Sequence, residues 1–281
     1  MYTLYLNSMR VNQVRLNNEI DFLKKNYQNR PPFPNICIDD FLTDSSINTI
    51  FNEFPQVTDQ IWTHYIHYNE RKHGLTKWEY FPKSVQGLIT ELSEPPFINW
   101  LEKITGIENL FADPELEGSG LHQTLNGGFL NIHADFSVHP KHKNWQRRVN
   151  VLIYLNKNWN PDWGGNLEFW DAHMKNCIQK ITPTYNRLVV FGTGSKTYHG
   201  YPSPINCPNN VSRKSIAMYF YTKDDAFKKT YTSYRARPNE SHKKPLIWLD
   251  TKLISIYSKI KGSLGLSDKF VSSILNKFSK K

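Results

Sequence analysis

Phe129-Leu130-Asn131-Ile132-His133-Ala134-Asp135 sets a His and an Asp two residues apart in an apolar, strand-like run. Residues i and i+2 of a strand leave the backbone on one face. The His133 imidazole and the Asp135 carboxylate therefore stand side by side, as two ligands that one rigid element can offer a divalent metal. Outward from this stretch, short β-rich runs separated by Gly, Pro and Asn clusters continue over 121–124, 129–135, 148–155, 167–170, 178–181, 188–191 and 212–221. Many short strands with such turn signals predict a sandwich or barrel.

A third ligand is available in His199, which follows the apolar run Leu188-Val189-Val190-Phe191-Gly192 and precedes Gly200. Two His and one carboxylate leave three open positions on an octahedral ion, the facial triad of non-haem Fe(II) sites. Shortly afterwards Arg213 and Ser215 share one strand face. A guanidinium fork beside a hydroxyl is a receptor for a carboxylate. Blander readings stand beside these. H-x-D recurs by chance, a His packs or hydrogen-bonds without a metal, and Arg213 could be a solvent-facing basic strand end.

The order and spacing of H-A-D at 133–135, H-G at 199–200 and R-K-S at 213–215 resemble the 2-oxoglutarate- and Fe(II)-dependent oxygenases, in their prolyl-4-hydroxylase-like branch. Arg148-Val149-Asn150-Val151-Leu152-Ile153-Tyr154-Leu155-Asn156 and Trp163-Gly164-Gly165-Asn166-Leu167-Glu168-Phe169 support the likeness, which covers roughly 118–222 and, more weakly, 33–55. The resemblance implies a mainly β domain with flanking helices, a double-stranded β-helix (cupin-like jelly roll). It implies Fe(II) on His133, Asp135 and His199, and 2-oxoglutarate held by Arg213 with Ser215. Tyr154 either assists that carboxylate or is an ordinary core aromatic. O2 is the co-reactant and ascorbate a supporting reductant. Asp135, where a halogenase would carry Gly or Ala, argues against halogenation. Asn131, on the His133 face, and Gln123, one strand earlier, are further candidates for touching cosubstrate or substrate. His139, His142 and Arg147 either rim the site or belong to a solvated basic loop.

The 281 residues suit one large domain with appendages: an arm at 1–32, an oxygenase domain with buttressing helices at 33–225, and a basic helical extension at 226–281. The polar, aromatic stretch 55–80 reads as a surface excursion or a lid. The net charge of +10 is concentrated at the end, where residues 242–281 carry nine Lys against Asp250 and Asp268. That tail could dock on its own domain, mediate a dimer or lie on an anionic membrane surface. No motif beyond charge points to nucleic acid. Cys37, Cys177 and Cys207 lack metal-ribbon spacing and fit reduced thiols in a cytoplasmic protein. No run approaches a membrane span. The expected activity is hydroxylation of an unactivated C–H bond, or oxidative dealkylation, of a small molecule. A peptidyl, prolyl-type hydroxylase is the alternative, and a non-catalytic binding protein on the same fold is the alternative from a different class.

Overall fold

The computed structural model describes residues 9–226 and 229–253. Thirteen strands lie among them: β1 (Asn35–Ile38), β2 (Thr63–His67), β3 (Glu70–Leu75), β4 (Phe111–Ala112), β5 (Gly120–Thr124), β6 (Phe129–Ala134), β7 (Trp145–Tyr154), β8 (Leu167–Trp170), β9 (Cys177–Ile181), β10 (Arg187–Gly192), β11 (Tyr198–Tyr201), β12 (Arg213–Lys223) and β13 (Ser233–Tyr234).

Alternation along the two longest strands decides which side of the sheet does what. Val149, Val151 and Ile153 of β7, with Ile216, Met218 and Phe220 of β12, enter the main apolar core. Their neighbours Asn150 and Leu152, with Arg213, Ser215 and Tyr219, face an interior cavity instead. The core side is closed by two helices, Lys83–Ser93 and Pro95–Thr105, which bury Leu88, Leu92, Trp100 and Leu101 against the sheet. Each such side chain contributes about 1.5–3 kcal/mol of burial. Pro95 and Pro96 separate the two helices by standing at the start of the second, where a missing N–H costs no helical bond.

The strands run in the order β1-β10-β7-β12-β5-β3-β6-β11-β8-β9, with antiparallel pairing throughout. The strands β1-β10-β7-β12-β5 form one wall and β6-β11-β8-β9 the other. Between them β3 is a bridge, pairing His73–Leu75 with β5 and Glu70–Arg71 with β6. The result is the expected double-stranded β-helix, curled around its cavity.

Three sequence expectations change. The stretch 55–80 is not a surface excursion but carries the β2–β3 hairpin, part of the sheet. Its charged residues gave no apolar alternation because Glu70 and Lys72 face the cavity. Residues 9–32 are not a separate arm. Helices Gln13–Asn18 and Ile20–Asn29 bury Leu16, Leu23 and Tyr27 in the main core, and the amides of Arg10 and Val11 donate to Glu91. Strand pairing also continues past 225, since β13 lies against β6. Helical residues 244–253 follow, with Ile247 buried. The part of the expected helical extension beyond 253 lies outside the described residues. Cys37, Cys177 and Cys207 are free, and no helix among the described residues is long and apolar enough to cross a membrane.

Candidate active site

β11 runs antiparallel to β6 so that His199 sits directly opposite His133. A Cβ at Gly200 would lie 2.8 Å from the backbone oxygens of Leu130 and Asn131, so this position must be Gly for the two strands to close. The Nε2 atoms of His133 and His199 each lie 3.5 Å from an Asp135 oxygen, Oδ1 and Oδ2 respectively. Each imidazole is oriented from behind. His133 Nδ1 donates to the Asn131 carbonyl at 2.9 Å, and His199 Nδ1 donates to the Thr197 carbonyl at 3.0 Å. Those bonds place the proton on Nδ1 and leave both Nε2 lone pairs facing Asp135.

Asp135 is also supported. Its Oδ2 accepts from Asn150 Nδ2 at 2.8 Å and lies 3.1 Å from Arg147 Nη2. Burial opposes the charge on this carboxylate, but the Arg147 guanidinium and the two imidazoles outweigh it and hold the carboxyl well below its usual range. Burial pushes His199 down to about 4, so its imidazole is neutral at pH 7. Two imidazoles and an ionised carboxylate, with ligand atoms all within 4.8 Å of one another, fit a divalent ion bound on one face and open on the other.

The open face looks into a cavity of about 220 Å³ whose walls include Arg213 and Ser215. Arg213 is 4% exposed. Its Nε donates to the Gly165 carbonyl at 2.8 Å and its Nη2 to the Tyr154 hydroxyl at 3.0 Å, while the guanidinium lies 4.1 Å over the Tyr201 ring. Gly165 has φ 70° and a Cβ there would come within 3.2 Å of Arg213 Cδ, so the Gly-Gly turn shapes this anchor. Two of the five guanidinium N–H groups are used, which leaves the others for a carboxylate. Burial raises the Tyr154 hydroxyl above its ordinary range, keeping its proton available to donate.

The remaining sequence candidates separate. Arg147 does line the cavity, but it is engaged with Asp135 and stacked 3.4 Å over the Tyr219 ring. Asn131 is turned off the cavity. Its Nδ2 donates to Asn69 Oδ1 at 3.1 Å, and the register shift between His199 and Tyr201 gives its expected place to Leu130. Gln123 is on the wrong face of β5 and donates to Ser212 Oγ at 2.8 Å; its neighbour His122, opposite Ser215, faces the cavity. His139 is neither on the rim nor solvated. It is fully buried, with Nε2 3.3 Å from Asp113 Oδ2. His142 stacks on Trp145 at 3.8 Å and pairs with Glu115, also away from the cavity.

Sequence reasoning missed Glu70, Lys72, His122 and Tyr234 on the cavity walls. Glu70 Oε2 pairs with Lys72 Nζ at 3.0 Å, and Glu70 Oε1 accepts from His67 Nε2 at 2.8 Å. His67 Nδ1 then reaches Asp250 Oδ2 at 2.9 Å, so one ionic chain joins the cavity to helical residues 244–253. Burial works against the His67 charge, but its two carboxylate partners raise it to about 9. The Tyr234 ring lies 5.3 Å from the His133 ring. Of the aromatic residues between 62 and 80, Tyr65 alone lines the cavity; Trp62 is buried elsewhere and Tyr68, Trp78 and Tyr80 are exposed.

A family model described as the 2OG-Fe(II) oxygenase superfamily matches residues 119–221. A prolyl 3-hydroxylase of Mus musculus is 27% identical over 129 residues, which is 44% of this chain and 21% of that protein. The chain therefore spans about a fifth of the length of the curated relative it matches. Among solved structures, a prolyl hydroxylase from Trichoplax adhaerens, in complex with a hypoxia inducible factor oxygen degradation domain peptide fragment, is similar at TM-score 0.55 and 17% identity. The similarity covers 77% of this chain and 95% of that one. A prolyl 4-hydroxylase from Phytophthora capsici is similar at TM-score 0.51 and 17% identity, over 87% and 77% of the two chains. At these identities the solved structures show a shared fold.

Proposed function

Because residues 119–221 are a domain of the 2OG-Fe(II) oxygenase superfamily, we propose that the chain is a 2-oxoglutarate-dependent dioxygenase that hydroxylates a prolyl residue of a protein or peptide. The observation that carries the reaction class is the His133, Asp135 and His199 donor set with the Arg213 guanidinium in the same cavity. His133 and His199 would hold Fe(II) through Nε2 and Asp135 through its carboxylate. Arg213, with Ser215 and the Tyr154 hydroxyl, would hold the distal carboxylate of 2-oxoglutarate. When bound, the iron and cosubstrate couple O2 and decarboxylation to succinate with hydroxylation of a C–H bond. This chain's part is positioning. Thr197 and Asn131 carbonyls fix the imidazoles, Arg147 and Asn150 hold Asp135, and buried walls keep water from the reacting centre.

The prolyl substrate is supported by the Mus musculus relative, whose name is that of a prolyl 3-hydroxylase. No comparable observation favours the small-molecule substrate expected from the sequence. The test is succinate release from 2-oxoglutarate with Fe(II), ascorbate and a panel of proline-containing peptides, read with mass spectrometry for a gain of one oxygen on Pro. Turnover with no peptide modified would remove the prolyl reading. Absence of both iron binding and 2-oxoglutarate turnover would remove the oxygenase reading.

A further inference from the structure

A second, larger cavity of about 680 Å³ opens beside the first and shares Tyr234 with it. It lies between the loop that follows β8, strand β13 and helical residues 244–253. Its charge is one-sided. Lys175, Arg235, Arg237 and Lys244 line it, with His173 nearby, and no carboxylate is among its lining residues. Arg237 is neutralised by Glu240 at 2.8 Å. Lys175, Arg235 and Lys244 are exposed and pair with no carboxylate among the described residues. Apolar surface lies between these cations: Met174 and Ile247 line the groove, and Trp248 stands 61% exposed at its edge.

Unpaired cations repel one another unless something else supplies the opposite charge. Arg and an exposed Trp are residue types enriched in protein-binding hot spots, and the Lys side chains add positive charge around them. Tyr234 lines both cavities and its ring is 5.3 Å from that of His133, so an occupant of the groove lies beside the candidate reacting centre. Residues 254–281 of this chain carry six Lys and one Asp, the wrong sign to fill it. We infer that this groove binds the acidic segment flanking the target residue of a peptide substrate, making Lys175, Arg235 and Lys244 specificity-determining residues. The inference rests on the peptidyl reading given above and names the substrate class within it. Charge complementarity of this kind sets partner choice and association rate, and weakens with salt.

The test uses the full chain loaded with Mn(II) and 2-oxoglutarate, and a fluorescein-labelled peptide carrying one Pro flanked by Asp and Glu. Its counterpart has Asn and Gln in place of the acids. Fluorescence anisotropy should show the acidic peptide binding about tenfold or more tightly, with the difference shrinking as salt rises. Lys175→Glu, Arg235→Glu and Lys244→Glu together should erase that preference, while peptide-independent 2-oxoglutarate turnover of the Fe(II) enzyme stays unchanged. Equal affinity for the two peptides, or a preference that survives the triple reversal, would overturn the inference. So would a single-stranded oligouridine that displaces the acidic peptide at lower concentration, since the groove would then select nucleic acid. Binding that follows the acidic pattern without any oxygen added to Pro would refute the prolyl reading and leave the groove assignment standing.

Discussion

Replacing Arg213 with Ala should separate cosubstrate binding from metal binding. The guanidinium is buried, and two of its N–H groups already serve Gly165 and Tyr154. Losing those two bonds costs about 1 kcal/mol each in stability, a loss that a domain of this size can absorb. What remains of the fork is the part that would grip a carboxylate. Truncating one partner of a buried, hydrogen-bonded charge pair costs roughly 2–5 kcal/mol. Taking about 3 kcal/mol, the 2-oxoglutarate dissociation constant should rise about 150-fold at roughly 1.4 kcal/mol per decade. Calorimetric titration of 2-oxoglutarate into Mn(II)-loaded protein reads this directly, and a Mn(II) titration on the same variant is the control. Arg213→Lys restores charge without the planar fork and should recover part of the loss. A folded Arg213→Ala protein with an unchanged 2-oxoglutarate constant would refute the carboxylate-clamp assignment. Loss of Mn(II) binding would mean that Arg213 supports the metal instead.

Three more outcomes follow from the geometry. His199→Ala removes one of three donors and should abolish measurable Mn(II) or Fe(II) binding; retention of full affinity would dismiss the triad. Arg147→Met keeps bulk against Tyr219 but frees the Asp135 carboxylate, so metal affinity should fall about 10–100-fold, checked by competition with a chelating dye, and no change would deny Arg147 its positioning role. His67 is raised above its ordinary value to about 9 by Glu70 and Asp250 acting against burial. The folded state therefore binds that proton more tightly than the unfolded one. The resulting stability, at most about 3 kcal/mol, is full below pH 6.5 and lost as pH rises through 9. Thermal melts from pH 6 to 10 should show the decline, and His67→Gln should flatten it; equal slopes for both proteins would contradict the ion-chain account.

The candidate metal donors were legible because strand alternation is a local property. His133 and Asp135 needed no knowledge of any other strand to be placed on one face, and Arg213 with Ser215 likewise. Asn131 was misplaced by the same rule. The register shift between His199 and Tyr201 is set by pairing between distant segments, which a single strand's sequence does not carry. Gln123 failed for want of phase: in a short strand the choice between it and His122 depends on where β12 lies beside it. The β2–β3 hairpin was hidden because a cavity wall reverses the usual code, putting Glu70 and Lys72 inside where apolar residues are expected. Tyr234 lay in a segment whose pairing is only two residues long, too short for any periodicity to register.

The bridging role of β3 has a further consequence, for the way the barrel breathes. Its ladder to β6 consists of two residue pairs, Glu70 with Leu130 and Arg71 with Phe129, whereas β7 and β12 are zipped over nine. A seam of two pairs should open locally at a lower free energy than the nine-pair ladder. Amides at 70, 71, 129 and 130 should then exchange with solvent well ahead of those in β7 and β12. Opening of this seam would leave the wall carrying Glu70 and Lys72 held by the three-pair ladder to β5 and the five-pair ladder to β2. The ionic chain through His67 to Asp250 ties that wall to helical residues 244–253, far from His133 and Asp135 in sequence.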